Sequence, residues 1–138
     1  MSTISAGPTT TSAAEAADAL RTTLRLNATT SLLGGLAAIA AAGPIDRLLG
    51  TGEPGWVRVT GVGLLLFAGG VATSGATVDR MAGRTPLISA ADATWVAASA
   101  GTIAAGWYSA RGTAIVAAVA VGVAAFCARQ LALVRRLA

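Results

Sequence analysis

Histidine and lysine are absent from this chain, cysteine occurs once, and aromatic side chains make up only 4% of it. Without histidine, the commonest general base and the commonest metal and haem ligand are missing. With Cys127 alone, no intramolecular disulfide forms and no cysteine pair exists for redox work. There is no P-loop, no zinc ligand set and no Ser-His-Asp set. Gly61-x-Gly63 and Gly69-Gly70 fall inside an apolar run, outside the strand–turn–helix context that a nucleotide loop requires. The expectation is a protein that is no enzyme and holds no cofactor and no metal. Charge is scarce too. Charged residues make up 12%, against about 25% in soluble domains. A soluble fold of 138 residues needs a polar shell that this chain cannot build. Hydrophobic residues reach 54% and the mean hydropathy is +0.69, which points to lipid as the outer solvent.

The charge that is present is mostly arginine: ten arginines against six acids, a net charge of +4. The arginines stand singly or in pairs at the ends of apolar runs and form no basic stripe, so membrane orientation explains them and nucleic acid binding is not expected. The first residues are Ser, Thr, Ala and Gly with no early arginine, so they do not resemble a signal peptide, and no twin-arginine or lipobox pattern is seen. Segment 1–19 is expected to be a disordered or partly helical cytoplasmic tail. Within it, Ser12-Ala13-Ala14-Glu15 has the form of a capping box, which predicts a helix starting there and carrying Asp18, Arg21 and Arg25.

Four apolar stretches follow, at about 24–42, 56–78, 87–108 and 113–134. Each is close to the ~20 residues that cross ~30 Å of hydrocarbon at ~1.5 Å per residue. Gly43-Pro44 is the expected stop of the first. The others are entered through Glu53-Pro54-Gly55, Pro86 and Gly112, leaving every proline outside a span. Helices of a soluble bundle show a polar face, and barrel strands alternate over about ten residues; neither pattern is present. The expected fold is all-α, a four-helix transmembrane bundle over 20–138. The first and third stretches are the marginal ones, because Ala and Gly drive insertion less than Leu.

Arg21, Arg25, Arg80, Arg84, Arg129, Arg135 and Arg136 would share one face and Arg47, Arg58 and Arg111 the other. That asymmetry predicts both termini in the cytoplasm of a cell whose inner membrane holds the chain. Trp56, Trp107 and Tyr108 would fall together at the outer boundary. Asn27-Ala28-Thr29 is answered by Asp92-Ala93-Thr94, and Gly63 to Phe67 by Gly122 to Phe126, at offsets of 65 and 59. The repeats imply two tandem helical hairpins in parallel orientation, related by an axis along the membrane normal.

Ser31-x3-Gly35, Ala97-x3-Gly101-x3-Ala105 and Ala118-x3-Gly122 are small-residue faces that allow helix backbones close together. Asp92 is the most informative side chain. It lies five residues from the expected start of its span, roughly 7 Å deep, where a carboxylate is costly and needs compensation. An Asp92–Arg129 pair is expected, with Asn27 and Gln130 adding hydrogen bonds and Trp95 following on the same helix face. These five residues form a candidate intramembrane polar cluster for an ion, a proton or a small polar ligand. In the alternative, the span starts later, Asp92 sits among headgroups and Arg129 snorkels. Arg58 near Asp46 and Glu53 is expected to be a rim ion pair of little energetic worth, and Cys127 to serve packing.

Leu26-Asn27-Ala28 with Ser31 and Gly35, Gly43-Pro44, Gly61-Val-Gly-Leu-Leu-Leu-Phe67-Ala68, Asp92-x2-Trp95-Val96, and Val123-x2-Phe126-x3-Gln130 before Arg135-Arg136 resemble a widespread group of uncharacterised four-helix bacterial integral membrane proteins. DoxX-like proteins are similar in layout and match these motifs less well. The resemblance implies four helices and residence in the cytoplasmic membrane, and brings no activity with it. The expected function is that of a non-catalytic accessory or self-associating bundle; the alternative is a small transporter or channel using the polar cluster around Asp92 near the cytoplasmic side. The partners expected are the lipid bilayer and a second copy or another membrane protein.

Overall fold

A chain in hydrocarbon must satisfy its own backbone groups, and a helix does so within one segment. The computed structural model of the protein describes residues 8–137. Among them it has helices α1 (Pro8–Ala40), α2 (Ala42–Leu49), α3 (Pro54–Ala72), α4 (Val78–Ala104) and α5 (Ala110–Arg135), a 3-10 turn (Thr73–Ala76) and no strand. Three segments are long and apolar enough to cross a membrane: Pro54–Gly75, Val78–Ala104 and Ala110–Arg135. α1 reaches that mark only together with α2, from which it is bent by 97°. Leu66, Leu87 and Val121 are 70–75% exposed, a surface suited to lipid and costly in water.

The bend follows from Pro44. Its nitrogen has no hydrogen to give the Ala40 carbonyl, and its ring would collide with that oxygen. α1 therefore stops at Ala40, ahead of the expected Gly43-Pro44 stop. That pair lies in the first turn of α2, where the N–H groups need no intrahelical partner. At the other end α1 begins at Pro8, so the Ser12–Glu15 box lies inside the helix and does not start it. Proline, with its preset φ, is itself a helix-opening residue. Of the segment 1–19, residues 1–7 lie outside the described residues; from Pro8 it is helical, and Ala16, Ala17 and Leu20 are buried.

The span expected at 56–78 is shorter: α3 ends at Ala72, and Thr77 is extended. The Thr77 hydroxyl accepts from the Arg80 N–H and caps α4, which therefore starts at Val78 rather than Leu87. Pro86 lies inside this helix, correcting its placement outside the spans. It forfeits one backbone bond in the helix's first third, and the Thr77 cap upstream still starts the helix there. α4 ends at Ala104, before Trp107 and Tyr108, because Gly106 (φ 72) turns the chain left-handed. Ser109 then caps α5 by accepting from the Gly112 N–H, so Gly112 is inside the helix and is not its entrance.

α1 packs along α3, α4 along α5, and α1 also meets α5. The first pair is closest at Gly35 and Gly61. A Cβ on either glycine would stand 2.8 Å from the carbonyl oxygen of the other. Gly61→Ala is therefore expected to weaken the α1–α3 contact by about 1–3 kcal/mol. Gly63→Ala, with nothing within 4 Å, should cost nothing. Reversible unfolding of the two variants in mixed micelles checks this, and equal stabilities would disprove the close crossing. Of the other small-residue faces, a Cβ added at Gly101 or Gly122 would meet nothing within 4 Å, and Ala97 and Ala118 are exposed. Those faces pack on nothing within the chain.

Two apolar clusters mark the ends of the assembly. Leu20, Leu24, Val71, Met81, Ile88 and Leu133 close one end, and Ala38, Ala42 and Val57, backed by Ile45 and Leu49, close the other. At the second end α2 lies across the helices. Its last carbonyl, on Leu49, accepts from the Ser109 N–H at 2.9 Å. Asp46, buried, accepts from the Thr51 hydroxyl and from the Glu53 N–H and so fixes the α2–α3 turn.

Candidate functional site

Between the two apolar clusters the helices bring together polar side chains that are far apart in sequence. Asn27 of α1 donates to Asp92 of α4 at 3.0 Å, and Gln130 of α5 donates to the same carboxyl oxygen, Oδ2, at 3.3 Å. All three are buried. The network extends outward on both sides: Ser89 donates to Gln130 Oε1 at 3.0 Å, and Ser31 to Asn27 Oδ1 at 3.5 Å. Each amide thus has its oxygen occupied by a hydroxyl and its NH2 turned on Asp92. Helical spacing explains the arrangement, since Ser31 lies four residues after Asn27 and Ser89 three before Asp92, each pair on one face.

Asp92 falls near the midpoint of α4, because that helix starts well before Leu87. It is only 3% exposed, so an accessible position among headgroups does not describe it. The expected Asp92–Arg129 pair is not formed. The Arg129 Nε donates to the Thr23 hydroxyl at 3.1 Å, and Arg129 itself is exposed. The physical reason is geometric. Gln130, the next residue, occupies the inward face of α5, which turns Arg129 about 100° away from it. Arg58 likewise forms no ion pair among the described residues, where the single pair is Arg21–Asp18 at 2.7 Å. Cys127 donates to the Ser89 carbonyl at 3.4 Å.

Asp92 opens on a cavity of about 430 Å³. Asn27, Ser31, Phe67, Trp95 and Phe126 are among its walls. A second cavity, of about 550 Å³, lies toward α2 and is bounded by Glu53, Trp56, Trp107 and Tyr108. Thr60 and Trp95 line both. No arginine lines either one. Both amides end on Oδ2, and Oδ1 takes none. Among the described residues no fully buried side-chain nitrogen or oxygen lacks a partner, so Oδ1 keeps some exposure. A proton or a cation on this carboxyl group belongs at Oδ1, since Oδ2 already accepts twice.

Of the five residues proposed from sequence, the structure brings Asn27, Asp92 and Gln130 into contact, places Trp95 on the wall shared by the cavities, and leaves Arg129 outside. Ser31 was singled out only as a packing residue and Ser89 not at all; their three- and four-residue spacing to Asn27 and Asp92 was the available signal. Among the described residues no group of three His, Cys, Asp or Glu could hold a metal ion. Comparison with family models, with curated proteins and with solved structures found no match.

Proposed function

We propose that this chain is a four-span protein of the bacterial cytoplasmic membrane, with both termini in the cytoplasm, that binds and passes a small solute through its interior at Asp92. The observation that carries this reading is a buried Asp92 at mid-helix that lines a cavity and accepts both of its amide hydrogen bonds on Oδ2, none on Oδ1. A carboxyl group at such a depth costs about 2.5–3.5 kcal/mol on insertion scales, and two amide donors cover only one of its oxygens. In this arrangement the C-terminal half of α1 crosses the bilayer and α2 lies in the outer interface. Buried Ala42 and Asp46 face the protein there, and exposed Leu48 faces lipid. Trp56, Trp107 and Tyr108 stand at that same end, as an aromatic belt does.

The two parallel hairpins are α1 with α3 and α4 with α5. Asn27 and Asp92 hold equivalent places in the repeats, 65 residues apart, and bond to each other. Residues related by a two-fold axis meet only on that axis, and this contact supports the reading. Phe67 and Phe126, the other matched pair, line the same cavity. A single bundle encloses little volume, so the working unit is an oligomer. The self-associating reading has its own support: the unpacked Gly101 and Gly122 faces of α4 and α5 are suited to a second copy.

Proteoliposomes carrying the full chain test the proposal with three probes: protons, K⁺ and tetramethylammonium. At least one is expected to cross faster than in protein-free vesicles, and Asp92→Asn to abolish the difference. Flux that persists unchanged in Asp92→Asn removes the carboxyl group from the pathway. Absence of flux with all three, together with an oligomer or partner complex by native mass measurement, favours the accessory role.

A further inference from the structure

The solute class can be argued from the walls of the inner cavity, resting on the reading that the cavity is a solute site. Its one ionisable side chain is Asp92, and the outer cavity's is, besides the Tyr108 phenol, Glu53 at the mouth. Both are acids, and no basic group lines either space. An anion would meet a carboxylate with no compensating charge. A hydrated inorganic cation could exchange water only for Asp92 and the side-chain oxygens of Asn27, Thr30, Ser31 and Thr60, and would leave the rest of its shell against Leu64, Phe67, Val119, Val123 and Phe126, which offer none. A cation with an apolar body loses little hydration on entry and gains those walls. Three aromatic residues, Phe67, Trp95 and Phe126, line the same cavity as Asp92, and ring faces attract ammonium groups. The size also fits, since small-molecule sites occupy roughly 300–1,000 Å³ and the inner cavity is about 430 Å³.

We propose that the inner cavity is a site for a small organic ammonium ion, its charge held at Asp92 Oδ1 and its apolar body among Phe67, Trp95 and Phe126. The outer cavity is its entry chamber. Glu53 and the aromatic side chains of Trp56, Trp107 and Tyr108 meet the cation first, and Trp95 with Thr60 stands at the passage between the two spaces.

The test is equilibrium dialysis of phenyltrimethylammonium against the full chain in zwitterionic lipid discs, with empty discs as blank. Saturable binding is expected, weakened by at least about tenfold in Asp92→Asn, with benzenesulfonate not binding. Equal affinity in wild type and Asp92→Asn overturns the proposal. So does saturable binding of neutral benzyl alcohol as tight as that of the cation, an outcome that keeps the solute site and removes only its class. No saturable binding of any probe sinks both. A measurement on the unaltered chain guards against misfolding of the variant. Modification of Asp92 by an apolar carbodiimide, read by mass, should slow several-fold under saturating phenyltrimethylammonium, and an unchanged rate contradicts the site.

Discussion

Gly112→Ala should detach α2 from the head of α5 and destabilise the chain by about 3 kcal/mol, the upper range for forcing atoms into a filled space. The methyl group would overlap the carbonyl oxygen of Leu49 and crowd its carbonyl carbon and Cα. All three are backbone atoms, so no rotamer change relieves the clash. The same Leu49 carbonyl accepts the Ser109 N–H at 2.9 Å, so moving it breaks the bond that docks α2. The neighbouring left-handed Gly50 (φ 76), itself packed against Ser109, leaves little room for the turn to shift. Gly122→Ala in the same helix, compared in the monomeric chain, is the control. With nothing within 4 Å of it, it should stay level or gain up to about 1 kcal/mol in helix propensity. Steric-trap or denaturant unfolding in bicelles measures both. Because Ile45 and Leu49 of α2 wall the outer cavity, Gly112→Ala should also speed thiol labelling of a cysteine placed at Thr102. If Gly112→Ala and Gly122→Ala prove equally stable, α2 does not dock on the head of α5.

The apolar stretches were legible because hydrophobicity is summed over some twenty residues, and no single side chain decides the sum. Their ends were not, because each is decided by one local bond. Gly43-Pro44 reads as a stop, yet the missing donor of Pro44 acts four residues back, at Ala40, and so moves the break upstream. Pro86 reads as an entrance for the same reason. The stronger signal there was the Thr77 hydroxyl, which caps Arg80 in a stretch too polar to attract notice as part of a span. Starting the helix at Leu87 placed Asp92 near its beginning and made Arg129 look like its partner. With α4 running from Val78, depth no longer distinguishes Arg129 from Gln130, and the facing of α5 selects Gln130. Asn27 and Asp92, matched by their sequence pattern, are two residues that touch. What no sequence pattern carried was the void beside them. A cavity depends on where Phe67, Trp95 and Phe126 stop short of each other, which is a property of packing angles.

Asp92→Leu should move two measurable quantities in opposite directions. As an isolated segment, α4 should insert better by about 3–4 kcal/mol, because a central Asp costs about 2.5–3.5 and Leu gains about 0.5. Insertion efficiency in a glycosylation-mapping assay reads this directly. In the assembled chain the same change removes the acceptor from two buried amides, Asn27 Nδ2 and Gln130 Nε2. Leaving a buried donor unpaired costs about 1–3 kcal/mol in water-soluble proteins, whereas interhelical bonds in membranes average nearer 0.6. Assembly should therefore weaken by about 1–3 kcal/mol. Asp92→Asn keeps an acceptor if its amide oxygen faces Asn27 and Gln130 and its NH2 takes the place of Oδ1 in the cavity. It loses only the charge-assisted part of the two bonds, about 1 kcal/mol. The order of assembly stability is then wild type, Asn, Leu, while the order of insertion runs the other way. Should Asp92→Leu assemble as well as wild type, the amides find other partners and the carboxyl group is no keystone of the helix packing. Should it assemble worse while inserting better, the three-residue contact joins α1, α4 and α5 at the expense of α4 insertion, and Oδ1 is left as the one polar atom of that contact with no structural task.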